Sequence, residues 1–329
     1  MSLFLLILVV LAGVLLVEAA RLVARGADEL IRRESPDPPQ SPADYGLPYV
    51  EVWFLSRDGL RLHGWFIPAQ GSPLRSRDDP QWSMGNRGVV IFCHCRFGSK
   101  DPDLKYVPDF HTAGYGVLLF DFRGHGRSEG RYSSFGYYER GDLQAAIDLL
   151  ESKGYSRVGV LGFSLGGAVG ISTAAIDPRI VCVVSDGGYA ELSKVVRAGS
   201  VERGYPPWLS KAFAPLVLWW AKRRMGCRLE EADPIRWVAR IAPRPLFLIH
   251  GEIDPYITSD DVRRLFAAAG EPKELWIAPG AGHRRVEERY PVEYGQRVLG
   301  FFDRYLGSAG GLYKQAMPAE GEHEAAAPL

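Results

Sequence analysis

One segment of this 329-residue chain constrains its fold more than any other. Residues 158–170 read Val-Gly-Val-Leu-Gly-Phe-Ser-Leu-Gly-Gly-Ala-Val-Gly, which indicates a short buried strand, a sharp turn and a helix of small residues. The turn carries Ser164, flanked by Gly162 and Gly166 in a Gly-x-Ser-x-Gly pattern. Such a turn can close only if the neighbouring residues are small. The turn holds the serine in a strained backbone conformation and raises its side chain above the sheet. The next helix directs its free N–H groups at the hydroxyl.

The same five-residue pattern occurs a second time, at residues 126–130 around Ser128. The residues before Ser164 are apolar and partly β-branched, and a helical pattern continues after it to residue 175. Ser128 is followed by Arg-Tyr-Ser-Ser-Phe-Gly, a composition typical of a loop. We therefore predict that Ser164, rather than Ser128, is the nucleophile.

The composition excludes some classes of protein. Hydrophobic residues make up 47% of the chain, enough for a large core, and the formal net charge is zero. A nucleic-acid partner is not expected, because the chain lacks the excess of basic residues that such binding requires. The four cysteines show no metal-binding spacing and no disulfide framework, which favours a reducing compartment; they are Cys93, Cys95, Cys182 and Cys227.

The N-terminal segment is apolar without interruption over residues 3–17. Extended to Ala24, with Glu18 and Arg21 reaching towards the lipid headgroups, it approaches the roughly 20 residues that span a bilayer. We interpret residues 1–25 as a membrane anchor. Two alternatives remain open. The segment is either a cleaved signal peptide, for which residues 17–19 loosely fit a cleavage site, or a buried helix of a soluble protein.

The positive charges follow this apolar run, at Arg21, Arg25, Arg32 and Arg33, which places the globular part in the cytoplasm if the anchor is retained. Secretion after cleavage is the alternative. Residues 26–47 are predicted to be a proline-rich linker between the membrane and the catalytic domain. Residues 308–329 are predicted to be a disordered tail.

Strand and helix patterns alternate between the linker and the tail, over a domain at residues 48–307. We predict strands at residues 49–55, 60–67, 88–93, 117–121, 158–161, 180–185, 245–250 and 274–278, and helices at 103–113, 139–152, 168–175, 259–269 and 287–306. An Asp-Gly turn makes the first two strands a hairpin. Residues 189–235 lack a strand pattern and are predicted to form a helical cap. The pattern predicts a doubly wound, mostly parallel α/β sheet, with its active site beyond the carboxyl ends of the strands.

A serine nucleophile needs a base, and the base needs a group that orients it. In this class of sheet the order along the chain is nucleophile, acid, histidine. His283 is the candidate base because it follows the last strand in a loop of small residues. Asp254, which follows the strand at 245–250, is the preferred acid, with Glu252 as the close alternative and Asp186 less suitably placed.

The oxyanion of an acyl-transfer reaction needs two backbone donors. One is expected to be the N–H group of Leu165, directly after the nucleophile, and the other that of Arg96, in the loop after the strand at 88–93.

Together these motifs resemble the serine hydrolases of the α/β-hydrolase superfamily, close to the alpha/beta-hydrolase-domain and serine-aminopeptidase-like branch. The resemblance covers residues 50–306 and rests on the segments at 92–99, 121–128, 162–167, 249–254 and 282–283. It implies an eight-stranded sheet, a Ser164–Asp254–His283 triad and a helical cap, with no need for a cofactor or metal. Where the family usually has glycine after the loop histidine, this chain has Cys95. We expect Cys95 to adopt an ordinary backbone conformation, because a glycine-only one would cost about 1 kcal/mol or more.

The main hypothesis is a membrane-anchored serine hydrolase that cleaves a small-molecule carboxylic ester, with a lipid ester or a thioester as the candidate substrate. An alternative is a peptidase for short peptides, with an acidic pocket that recognises the peptide amine, formed by cap residues such as Glu202, Glu230 or Glu231. A third is a non-catalytic protein that retains the fold.

Overall fold

The computed structural model describes residues 3–33, 37–72 and 87–307, and a single eight-stranded sheet organises them. The strands are Val50–Leu55 (β1), Arg61–Ile67 (β2), Val89–Cys93 (β3), Gly116–Phe120 (β4), Val158–Phe163 (β5), Ile180–Asp186 (β6), Leu246–Gly251 (β7) and Lys273–Ala278 (β8). Their order in the sheet is β1-β2-β4-β3-β5-β6-β7-β8. The hairpin β1–β2 and the pair β2–β4 are antiparallel, and every other pair is parallel. This confirms the predicted fold class.

Helices cover both faces of the sheet. They are Leu3–Ile31 (α1), Val107–Thr112 (α2), Glu139–Ser152 (α3), Leu165–Ala174 (α4), Leu192–Glu202 (α5), Pro207–Met225 (α6), Ser259–Ala268 (α7), Val286–Arg289 (α8) and Pro291–Phe302 (α9). Successive strand residues point to opposite faces, so Val160 packs in one hydrophobic cluster and Leu161 in the other. Because β3, β5, β6, β7 and β8 are parallel, their carboxyl ends meet at one edge of the sheet.

Helices α5 and α6 are inserted between β6 and β7, in the region predicted to be a cap. Short 3₁₀ turns at Leu229–Ala232, Pro234–Arg236 and Val238–Arg240 lead from α6 back to β7. Helix α6 packs against both α5 and α1. The insertion therefore stands against the N-terminal helix, near the edge where the parallel strands end.

Helix α1 departs from the sequence prediction. The proline-rich linker was expected to begin at residue 26, but α1 continues to Ile31. Val23, Ala27 and Ile31 recur at every fourth position and are buried, so this half of the helix packs into the domain instead of leading away from it. The large apolar side chains between Leu3 and Val17 are exposed. The predicted tail at 308–329 lies outside the described residues.

Candidate active site

Ser164 lies between the end of β5 and the start of α4, at the carboxyl edge of the sheet. Its φ is +50°, a conformation that side-chain-bearing residues rarely adopt and that stores strain at a functional turn. Its backbone N–H donates to the carbonyl of Asp186 on the neighbouring strand (2.8 Å), which holds the turn in place. Ser164 is partly exposed, as the sequence predicts for a serine lifted above the sheet.

The flanking glycines are required by close backbone contacts. A Cβ atom on Gly166 would lie 1.9 Å from the carbonyl oxygen of Cys93 at the end of β3. A Cβ atom on Gly162 would lie 2.3 Å from the carbonyl oxygen of Gly166. Helix α4 can therefore start directly over β3 and β5 only because both positions lack a side chain.

The structure brings the three predicted side chains together. The Nε2 atom of His283 lies 3.0 Å from the Oγ atom of Ser164, and its Nδ1 atom lies 2.5 Å from Oδ2 of Asp254. The other carboxylate oxygen of Asp254 accepts the backbone N–H groups of Tyr256 and Ile257 (2.8 and 3.0 Å). The Asp254 side chain is fully buried, whereas that of His283 is 20% exposed. The imidazole is thus fixed between a buried carboxylate and the hydroxyl.

The other two candidate acids have different partners. Glu252 accepts the backbone N–H of Gly280 (2.9 Å). Asp186 is buried beneath the site and accepts the hydroxyl of Tyr294 (3.0 Å); burial raises its pKa. Neither carboxylate is hydrogen-bonded to His283, which favours Asp254 as the orienting acid.

A buried ion pair that the sequence analysis did not identify supports the histidine loop. Arg284 has a φ of +55° and donates to Asp103 (2.6 Å), which precedes α2. Its guanidinium also lies over the ring of Phe163 (4.4 Å to the centroid). Burial lowers the pKa of Arg284, but the acidic groups around it, Asp103 foremost among them, together raise the pKa above its usual value and keep the guanidinium charged. The only sequence signal was an arginine next to His283, and nothing in the sequence linked it to a residue 181 positions away.

The loop after β3 lies beside the serine turn. Arg96 and Leu165, the predicted oxyanion donors, line the same cavity as Ser164 and His283. Among the described non-glycine residues, positive φ angles occur at Phe135, Ser164 and Arg284. Cys95 therefore has an ordinary backbone conformation, as expected.

Two buried histidines hold this loop from behind. His94 accepts the N–H of Phe122 with Nε2 (2.9 Å), and its Nδ1 lies 2.6 Å from the carbonyl oxygen of Cys95. Burial lowers the pKa of His94 to about 3, so its ring is neutral near pH 7. The Nε2 atom of His125 lies 2.8 Å from the carbonyl oxygen of Arg96.

The Arg96 side chain connects the loop to the N-terminal helix. Its Nη2 group donates to the carbonyls of Leu30 and Arg32 (2.8 and 2.7 Å) at the end of α1. A cation at this position complements the negative end of the helix dipole. Arg33, just beyond the helix, donates to the carbonyls of Ser128 (2.7 Å) and Gly126 (2.5 Å). The sequence analysis treats Arg33 only as a positive charge flanking the anchor and Arg96 only as a backbone donor to the oxyanion.

A cavity of about 350 Å³ opens above Ser164. Its walls come from α1, from α5 and α6, from the loop after β3 and from the loops that carry Tyr256 and His283. Most of the lining side chains are apolar, including Val196, Phe213 and Val217. In the described part of the chain, no group of three or more His, Cys, Asp and Glu residues is placed to hold a metal ion.

Comparison with known proteins identifies the family of the chain. Residues 88–233 match the family described as alpha/beta hydrolase fold, and the chain belongs to the α/β-hydrolase superfamily.

Two relatives and one solved structure are similar to this chain. YqkD of Bacillus subtilis, whose function is uncharacterised, is 30% identical over 225 residues, which cover 65% of this chain and 71% of YqkD. Rv2307c of Mycobacterium tuberculosis, also uncharacterised, is 29% identical over 240 residues, 72% of this chain and 73% of that protein. The esterase Pf2001 of Pyrococcus furiosus has a similar structure, with a TM-score of 0.68 and 27% identity over 84% of this chain and 99% of the esterase. The fold and its esterase neighbours support a hydrolase.

Proposed function

We propose that this protein is a serine hydrolase that cleaves carboxylic esters through an acyl-enzyme on Ser164. One observation carries the proposal, the unbroken chain of contacts from the Ser164 hydroxyl through His283 to the buried Asp254. A hydroxyl is a weak nucleophile near neutral pH, and an oriented imidazole within hydrogen-bond reach removes its proton during attack.

Each residue then has a defined role in the reaction. Ser164 Oγ attacks the ester carbonyl while His283 Nε2 takes its proton, and Asp254 stabilises the imidazolium that forms. The N–H groups of Leu165 and Arg96 stabilise the oxyanion. When the intermediate collapses, the alcohol leaves with the proton from His283. Water then attacks the acyl-enzyme by the same route, releasing the carboxylic acid and restoring the serine.

The lining of the cavity favours a substrate that is recognised by an apolar acyl group. Its lining is largely aliphatic and aromatic, and it begins at the nucleophile, where the acyl carbon must sit. A lipid ester or an acyl thioester fits this chemistry.

A fluorophosphonate probe tests the assignment, because it reacts only with a serine activated as described. The wild-type protein is expected to be labelled, and Ser164→Ala to lose the label. Ser128→Ala, which changes the serine of the second pentapeptide, is the matched control and is expected to be labelled as wild type. Equal labelling of wild type and Ser164→Ala would refute the assignment. Inertness of the wild-type protein towards the probe and a panel of p-nitrophenyl esters would instead support the non-catalytic alternative.

A peptidase remains the second candidate, because one of the cap carboxylates considered for amine recognition, Glu202, lines the cavity. The other two have partners away from it: Glu230 accepts from Lys222 (3.1 Å) and Glu231 from Arg228 (2.9 Å). Parallel assays on acyl esters and aminoacyl amides separate the candidates. A kcat/KM that is higher for the amide, and that falls in Glu202→Gln, would favour the peptidase.

We further propose that α1 anchors the protein in a membrane with the catalytic domain in the cytoplasm. Helix α1 is long and apolar enough to cross a bilayer, and the basic residues follow its apolar part. The expected result is a membrane-bound protein whose intact mass includes residues 1–20. A secreted or soluble chain lacking those residues would support the signal-peptide alternative.

A further inference from the structure

The second half of α1 forms part of the wall of the cavity above Ser164. Leu22, Val23, Gly26, Glu29 and Leu30 line the cavity from this helix, at spacings that place them on one face. Side chains of α5 and α6 also line the cavity, and α6 packs directly against α1. A ligand that extends from the serine into the cavity therefore contacts the N-terminal helix along about two turns.

This wall is fixed in place by specific contacts. The Arg96 guanidinium binds the last carbonyls of α1, so the helix end and the loop beside Ser164 are connected directly. Towards the end of α6, Asp28 pairs with Arg224 (2.9 Å). Gly26 allows close packing against α6, since a Cβ atom there would lie 3.5 Å from Val217. The wall is thus a fixed surface rather than a loosely attached segment.

The exposed apolar half of the same helix precedes this wall, with the exposed Glu18–Arg21 ion pair between them. Val17, at the end of the exposed run, precedes Leu22 by five residues, about 7.5 Å along a helix axis. Large exposed aromatic residues lie in or next to the cavity lining, namely Phe97, Tyr205 and Trp208, with 62%, 43% and 71% exposure. Aromatic side chains of this kind favour the boundary between lipid and water.

We propose that the substrate is a long-chain acyl ester dissolved in the bilayer that holds α1, and that its acyl chain binds along the second half of this helix. This inference rests on the proposed ester hydrolysis at Ser164. The acyl chain moves from the lipid onto the surface formed by Leu22, Val23 and Gly26 along the apolar face of the helix. That face continues through Ala19, beside the exposed Glu18–Arg21 ion pair at the level of the headgroups. The ester carbonyl then lies at the inner end of the cavity, beside Ser164.

A matched pair of glycine substitutions on the same helix tests the binding surface. Gly26→Leu adds four carbons at the cavity wall, whereas Gly13→Leu adds the same four carbons where a Cβ atom has nothing within 4 Å. The full chain is reconstituted in phospholipid vesicles and assayed with p-nitrophenyl acetate and p-nitrophenyl palmitate. In Gly26→Leu, kcat/KM for the palmitate is expected to fall at least about tenfold further than for the acetate. Gly13→Leu is expected to keep the wild-type ratio.

A smaller substitution at the same position separates the loss of acyl binding from a displacement of α1. Gly26→Ala adds one carbon at ordinary contact distance from Val217 and is expected to shift the ratio in the same direction by a smaller factor. Equal losses on both esters, or an unchanged ratio in both Gly26 variants, would overturn the proposed acyl surface. A wild-type protein that cleaves neither ester and takes no fluorophosphonate label would refute the proposed function itself, and this inference with it.

Surface dilution tests whether the ester reaches the cavity from the bilayer. Ester-free phospholipid is added to the vesicles at constant total palmitate ester, so that only its mole fraction in the bilayer falls. The rate on the palmitate is expected to fall in proportion, while the rate on soluble acetate stays constant. A palmitate rate that follows the total concentration alone would overturn entry from the bilayer.

Discussion

The two Gly-x-Ser-x-Gly segments of this chain share a sequence pattern but have different surroundings. Ser164 is partly exposed, has a φ of +50° and lies 3.0 Å from His283. Ser128 is buried, donates to the carbonyl of Asp121 (2.6 Å) and accepts the N–H of His63 (2.9 Å). One hydroxyl is available for reaction, and the other satisfies two backbone groups of the core.

In both segments the glycines lie where a Cβ atom would collide with neighbouring atoms. A Cβ atom on Gly126 would lie 2.3 Å from the Asp121 carboxylate, and one on Gly130 would lie 2.8 Å from the backbone nitrogen of Gly124. The glycines at 162 and 166 likewise meet backbone atoms. The pattern therefore marks positions where a side chain has no room, and the strand before it and the helix after it decide whether the serine is exposed.

The largest expected difference between the two serines is in catalysis. Ser164→Ala is expected to lower kcat for ester hydrolysis by about 10⁴-fold or more, because the nucleophile is lost. Ser128→Ala is expected to retain kcat within about threefold, since its hydroxyl does not contact the site. Steady-state kinetics on p-nitrophenyl esters provides the measurement. Comparable losses in the two variants would mean that Ser164 is not the nucleophile.

The second difference is in stability. Ser128→Ala leaves the His63 N–H and the Asp121 carbonyl buried without this partner, and is expected to lower the free energy of unfolding by about 2 kcal/mol. Ser164→Ala leaves no buried backbone group without its partner in this way. It is expected to change the free energy of unfolding by less than about 0.5 kcal/mol. Urea unfolding followed by circular dichroism compares the two. A Ser128→Ala protein as stable as wild type would show that the buried hydroxyl is dispensable.

The smallest effect concerns pH. The buried His94 near the second segment has a pKa of about 3, below the value of about 6.5 in an unfolded chain. Between these values the unfolded state binds more protons, so stability falls as the pH falls. The contribution is about 1 kcal/mol between pH 7 and pH 5.5. His94→Gln is expected to reduce the loss of stability over this range by that amount, measured by urea unfolding at each pH. Equal losses in variant and wild type would show that His94 does not titrate on unfolding.

Most of the sheet could be predicted from sequence, because each strand is a short apolar run bounded by turn residues. Helix α3 begins and ends at the predicted residues, where its apolar positions recur with helical spacing. The three residues Ser164, Asp254 and His283 could be proposed together because chain order restricts which loops meet at the carboxyl edge. Their catalytic roles remain predictions until they are tested.

Other features depend on contacts that sequence spacing does not encode. The apolar pattern of α1 resembles an anchor up to residue 24, and only the folded structure shows that Val23, Ala27 and Ile31 pack into the domain. The ion pair between Arg284 and Asp103 joins a loop to a short 3₁₀ helix, Asp101–Tyr106, from a distant part of the chain. Neither residue belongs to a motif, so local patterns could not link them.

The contact between Arg96 and α1 has a practical consequence for anyone who prepares this protein. Deleting the apolar N-terminus is the usual way to obtain a soluble sample of such a chain. A version that begins after residue 33 would remove two acceptors of a buried guanidinium and open one side of the cavity. Rates and substrate preferences measured on such a fragment would describe a different candidate site from that of the chain that includes α1.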